Sequence, residues 1–159
     1  MPENLKIITT TILSEEQKRQ ILDLWNGEYP EKLCYNSLAD FDEYLEKLTN
    51  HQHFLLTNNE NKIKGWAFTF NRENEKWFAI IVVEDLQGKG FGRKMLDQLK
   101  EHETVLNGWV IDHDNDLKKN GEFCQSPLKF YEKCDFKILN DERIELPKIS
   151  AVKITWTKK

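Results

Sequence analysis

The chain has 159 residues, 39% hydrophobic and 31% charged, with 23 Lys and Arg against 27 Asp and Glu for a formal net charge of −4. Those values describe one domain spanning 1–159 with a real core, and the acidic balance argues against sequence-independent nucleic-acid binding. No apolar run reaches membrane-spanning length, no signal-peptide core stands at the N-terminus, and Cys34, Cys124 and Cys134 are too widely spaced for a metal site. The expectation is a cytoplasmic protein with free thiols and no membrane partner.

In chain order, Leu5 to Thr11 reads as a first strand. Ser14-Glu15-Glu16-Gln17 forms a capping box, and the helix it opens carries Ile21, Leu24 and Trp25 on one face and stops near Gly27. A second helix starts at about Ser37, with Phe41, Tyr44, Leu45 and Leu48 at helical spacing. His53–Thr57, Ile63–Phe70 and Trp77–Val83 are apolar, β-branched and aromatic runs joined by short polar turns, which predicts an antiparallel meander. His51 and His53 share one strand face, but no third ligand accompanies them, and a surface pair is expected.

Gln87-Gly88-Lys89-Gly90-Phe91-Gly92 follows the third of these strands, and Phe91, Met95, Leu96 and Leu99 then fall at helical spacing. Strand, glycine-rich turn and helix together build an anion site. The glycines permit φ > 0 and close approach, the N–H groups of the first helical turn point outward, and the helix dipole favours negative charge. Lys89, Arg93 and Lys94 add positive charge. A Walker A loop is absent, and the dinucleotide fingerprint needs glycine where Arg93 stands.

Val105–Ile111 reads as a strand reached through a helical crossover, hence parallel to Trp77–Val83. The polar segment Asp112–Gln125 follows, then Ser126 as N-cap, Pro127 at N1 and a short helix to Lys133. A calcium loop starting at Asp112 requires glycine at 117 and glutamate at 123, where Leu117 and Phe123 stand. Phe136–Leu139 and Ile149–Trp156 are the last strands, the latter closing the sheet.

The pattern Q-x-x-G-x-G at Gln87, Gly90 and Gly92 resembles the acetyl-CoA pyrophosphate loop of the GNAT acetyltransferase superfamily. Tyr131-Glu132-Lys133-Cys134-Asp135-Phe136 is similar to that family's Y-x-K-x-G-F, with Asp135 in place of the glycine, and Cys124 stands where the family often has asparagine. The resemblance implies an α/β (α+β) fold of the acyl-CoA N-acyltransferase type. Its mixed central sheet has an antiparallel meander, two splayed parallel strands, and helices on both faces.

It also implies acetyl-CoA as co-substrate, no metal, and a primary amine as acceptor, either a small molecule or a protein amino group. Ile81, Val82 and Val83 would bond the pantetheine arm through their backbone, and Gln87, Gly88, Lys89, Gly90, Phe91, Gly92 and Arg93 would hold the pyrophosphate. Tyr131, as an ordinary phenol, would protonate the departing thiolate. Asp112, His113 or Asp114, or water, would take the ammonium proton, and the three could attract a cationic amine; a solvated loop after the strand is the equal alternative. The region of Trp25, Tyr29 and Tyr35 would border the acceptor, although core packing is the expectation for Trp25. A catalytically silent acyl-CoA-binding module is the rival reading, and monomer and homodimer stay open.

Overall fold

A computed structural model describes residues 4–159. Seven strands form one mixed sheet: β1 (Lys6–Thr10), β2 (Thr49–Thr57), β3 (Ile63–Arg72), β4 (Glu75–Val82), β5 (Val105–Val110), β6 (Lys137–Leu146) and β7 (Ile149–Thr157), in spatial order β1-β2-β3-β4-β5-β7-β6. The meander β1–β4 is antiparallel throughout, β5 lies parallel to β4, and β7 pairs antiparallel with both β5 and β6. The edge of the sheet is therefore β6 and not the last strand. The alternation ends at Leu139 in the sequence, yet β6 runs on to Leu146 after a register shift between Leu139 and Arg143. Charged, exposed residues there conceal a strand that owes its formation to backbone pairing with β7.

Helix α1 (Glu15–Glu28) opens on the reciprocal capping box: Gln17 N–H donates to Ser14 Oγ at 3.1 Å, and Ser14 N–H donates to Gln17 Oε1 at 2.8 Å. It continues through Gly27 to Glu28 and ends at Tyr29 with Pro30 beyond, so proline sets the stop. Helix α2 (Leu38–Glu46) is capped by Ser37. Ile21, Leu24, Trp25, Phe41 and Leu45 from these two helices pack on Trp66, Phe68, Trp77 and Ile81.

Helices α3 (Phe91–His102) and α4 (Leu128–Lys133) cover the opposite face, where Met95, Leu96, Leu99 and Tyr131 meet Ala67, Phe78, Val82 and Leu106. Strand alternation explains the division, because Trp77 and Ile81 face one layer while Phe78 and Val82 face the other. Pro127, expected as the first helical residue, is the residue before the helix, and Ser126 Oγ accepts the Leu128 N–H at 3.3 Å.

The two strand histidines part company. His51 donates from Nε2 to the Leu48 carbonyl at 2.8 Å, whereas His53 is 1% exposed and its Nδ1 accepts the Trp66 indole N–H at 3.1 Å. Large aromatic neighbours, invisible in the local pattern, bury a residue that was expected at the surface. Burial, then His51 and Lys18, depress the His53 pKa from 6.5 to about 4. The folded state thus disfavours the imidazolium, while the unfolded chain takes up the proton near pH 6.5. Stability from this group is complete above pH 6.5 and is lost as pH falls toward 4, by about 3 kcal/mol at most. We expect urea unfolding at stepped pH to show that slope, and His53→Gln to remove most of it. An unchanged slope in the variant would assign it to other groups.

Candidate functional site

β4 and β5 are paired at a single position, Trp77 with Asn107. The Asn107 side-chain amide donates to the Lys76 carbonyl at 3.1 Å, and the Trp77 and Trp109 rings lie 5.3 Å apart. Beyond that staple no ladder joins Phe78–Val82 to Gly108–Val110, so the strands splay toward their carboxyl ends. This leaves a slot at the place where open α/β sheets bind ligands.

The β3–β4 register decides which backbone groups face the slot. Val83 N–H donates to the Lys64 carbonyl at 2.9 Å, and antiparallel alternation then turns Ile81 toward β3 as well. Val82, and Ile80 two residues earlier, present N–H and C=O to the slot. Of Ile81, Val82 and Val83, then, only Val82 turns its backbone groups to the slot, together with Ile80: Ile81 and the Val83 N–H face β3, and the Val83 carbonyl accepts the Leu86 N–H. The parity of a ladder is not readable from one strand's sequence.

The loop after β4 carries the donors. No backbone acceptor among the described residues engages the N–H of Gly88, Lys89 or Gly90, and Phe91, Gly92 and Arg93 open α3, where first-turn N–H groups have no intrahelical partner. Gly90 caps the helix at φ +88°, a conformation that side chains rarely adopt. At Gly92 a Cβ would meet Phe130 Cζ at 3.3 Å, so this glycine lets α3 approach α4. Lys89, Arg93 and Lys94 are exposed around the cradle, with Lys94 Nζ 5.2 Å from the Phe91 ring centre. Gln87 bridges inward: its Nε2 donates to the Val82 carbonyl at 2.9 Å and to Glu28 Oε1 at 3.1 Å.

Tyr131 is buried on the α3–α4 side of the slot, its ring set against Phe78, Phe130 and Phe136 at 5.1–5.7 Å. Burial, with a smaller contribution from Cys134, pushes its phenol well above the ordinary value of 10.0. It stays protonated at any physiological pH, more firmly than an ordinary phenol. Asp135, where the family pattern has glycine, sits at φ +70°. The turn out of α4 demands the left-handed region, which costs a non-glycine residue about 1–2 kcal/mol.

The acidic motif after β5 is committed elsewhere. Asp112 accepts two bonds from Arg143, at 2.8 and 3.1 Å, and that contact holds its carboxyl below the usual range. His113 Nδ1 accepts the Asn115 N–H at 3.1 Å, while its Nε2 lies 3.9 Å from Asp116 Oδ2. Asp114 Oδ1 accepts the Ser126 N–H at 2.7 Å. Each of the three thus has a partner within the segment or on β6, and the arginine that pairs with Asp112 comes from the strand extension the sequence conceals.

Residues 112–125 fold back as a hairpin, closed by the Leu117–Phe123 bridge and tied to the α1–α2 connection by Glu31 N–H to the Leu117 carbonyl (2.8 Å) and Lys32 to Asp116 (2.8 Å). On the α1–α2 face, a cleft of about 450 Å³ is lined by Trp25, Tyr35 and Tyr44 with Asp40, Glu43, Lys47 and Lys148 around it. Trp25 is both a core residue, 6% exposed, and a wall of this cleft. Among the described residues no cluster of three or more His, Cys, Asp or Glu is placed to hold a metal ion, and no helix is long and apolar enough to cross a membrane.

Solved structures that share this fold include three acetyltransferases. An acetyltransferase of the GNAT family from Staphylococcus aureus Mu50 superposes with a TM-score of 0.66 at 16% identity, covering 98% of this chain and 100% of the other. The spermidine/spermine N-acetyltransferase of Vibrio cholerae gives 0.62 at 17% identity, covering 96% and 92%. The ribosomal-protein-S18-alanine N-acetyltransferase of Escherichia coli gives 0.62 at 18%, covering 96% and 94%. No curated protein matches the sequence. The acetyltransferase (GNAT) domain family matches residues 49–138, which hold β2–β4 of the meander, the splayed pair, the glycine loop and Tyr131. The slot, the loop and this match over more than half of the chain place the protein in the GNAT acetyltransferase family.

Proposed function

We propose that the chain moves an acetyl group from acetyl-CoA to a primary amine by direct attack. The observation that carries this reading is the unzipped β4–β5 pair ending on a cradle of unpaired N–H groups. An extended pantetheine arm fits such a slot as an added strand, and a diphosphate fits such a loop. In this reading the arm bonds Val82 and Ile80, and residues 88–93 hold the diphosphate.

The chemistry asks little of covalent catalysis. The amine must be held in line with the thioester carbon, which is a matter of positioning. Its carbon–nitrogen bond forms as the carbonyl π pair moves onto oxygen, where the Val82 N–H is the available backbone donor. The ammonium proton leaves through water in the cleft, since Asp112, His113 and Asp114 have other partners. Collapse breaks the carbon–sulfur bond, and Tyr131 donates its proton or a hydrogen bond to the departing thiolate. The cleft beside Tyr35 and Tyr44 takes the rest of the acceptor, and it offers both signs of charge.

Two measurements bear on this. CoA and acetyl-CoA should raise the melting temperature in a concentration-dependent way, because they bind the folded state alone. Gly90→Asp should abolish the rise, since a side chain at φ +88° and a negative charge both oppose a diphosphate. Stabilisation by ATP but not by CoA would end the cofactor reading.

Tyr131→Phe keeps the ring and removes the hydroxyl. It should leave CoA binding nearly unchanged and lower kcat on the order of 10² to 10⁴. A kcat within about twofold of the parent, with chemistry shown to limit the rate, would take Tyr131 out of the reaction. A chain that binds CoA but releases none of it with any of a panel of amines would favour the silent binding module.

A further inference from the structure

The hairpin 112–125 touches the cofactor loop through one carboxylate. Glu28, the last residue of α1, has its side chain 13% exposed at the exit of β4. Its Oε2 accepts the Glu84 N–H at 3.2 Å, and its Oε1 accepts Gln87 Nε2 at 3.1 Å. Lys118, from the hairpin and 12% exposed, places Nζ 3.5 Å from the same Oε1. Gln87 in turn holds the Val82 carbonyl. A chain of contacts, Lys118 to Glu28 to Gln87 to Val82, thus runs from the hairpin to the first residue of the glycine loop and to the slot.

Glu28 has two effects of opposite sign on that loop. As an acceptor it fixes the turn at Glu84 and the amide of Gln87, and so fixes how the loop leaves β4. As a largely buried negative charge bonded to Gln87, one residue from Gly88, it stands at the entrance of the loop and faces any diphosphate held there with little solvent screening. Unneutralised, it would oppose the ligand it helps to position. Lys118 is the cation that cancels it. Both partners are largely shielded from water, so the pair is weakly screened, and removing one member leaves the other uncompensated.

We propose that Glu28 is a positioning residue for the cofactor loop and that Lys118 is its counter-charge, so that the hairpin inserted after β5 sets the affinity for CoA. This rests on the reading of residues 88–93 as the diphosphate site. The anion concerned is the diphosphate of CoA, and the acceptor amine plays no part.

The test is calorimetric titration of CoA into the full chain, with acetyl-CoA kinetics alongside. Lys118→Met should weaken CoA binding on the order of tenfold and raise KM for acetyl-CoA while leaving kcat within about twofold. Glu28→Gln introduced into Lys118→Met should recover most of the loss, because it removes the opposing charge and keeps an acceptor oxygen for Gln87, giving up only the exposed Glu84 N–H bond. Lys118→Arg should behave like the parent. Loss of structure alone predicts additive damage, not recovery. A Kd for Lys118→Met within twofold of the parent overturns the proposal, as does a double variant no tighter than Lys118→Met. Should Lys118→Met fail to fold, the double variant, which buries no lone charge, decides the matter: within about threefold of the parent supports the pairing, and tenfold weaker overturns it. A parent chain that does not bind CoA defeats the cofactor reading itself, which the variants leave untouched.

Discussion

The one backbone pairing between Trp77 and Asn107 is the constraint on which the site depends. Parallel strands normally zip along their length, since each unmade hydrogen bond leaves two polar groups to water. Here Asn107 supplies a side-chain bond to the Lys76 carbonyl at the start, and the strands diverge at once. The divergence is held from both faces, with Trp77 and Trp109 meeting on the α1–α2 side and Phe78, Tyr131 and Phe136 packing on the other. The Val82 N–H is then directed into a slot and not into a ladder, with the Val82 C=O held by Gln87, next to a loop whose own donors are free.

The hairpin 112–125 belongs to the same economy of polar groups. It follows β5 directly and returns over the end of α1, where Glu31, Lys32 and Glu28 receive it. α1 therefore does two things with one sequence. Its apolar stripe builds the core under the cleft lined by Trp25, Tyr35 and Tyr44, and its last residue reaches the turn between β4 and α3. Gly27, which on propensity alone ends a helix, does not end this one, and the one further residue is Glu28, which reaches these partners.

Much of this was legible in the residues. The capping box at Ser14, the alternation of the meander, and the strand–glycine–helix order of Trp77–Leu99 are local signals, and each formed where its period placed it. What was not legible is non-local. Ladder parity selects Ile80 and Val82 over Ile81 and Val83, and it comes from β3. Arg143 neutralises Asp112 from 31 residues away, on a strand with no apolar period. His53 is buried by Trp66 and Phe68, which no window around it contains. Asp135 is the converse: the sequence departs from the family's glycine there, while the backbone keeps the glycine's conformation.

The extended β6 has a consequence for assembly. An open sheet edge is a template for another strand, yet this one is interrupted by the register shift between Leu139 and Arg143 and carries Asp141, Glu142, Arg143 and Glu145 on exposed positions. An incoming strand would find its register broken midway and charges of both signs already engaged, Arg143 by Asp112 and Glu145, and Glu142 by Lys153. Such features blunt edge-to-edge growth. The same charges that hide the strand from a hydrophobic pattern thus work against lengthening of the folded sheet by a second molecule at that side.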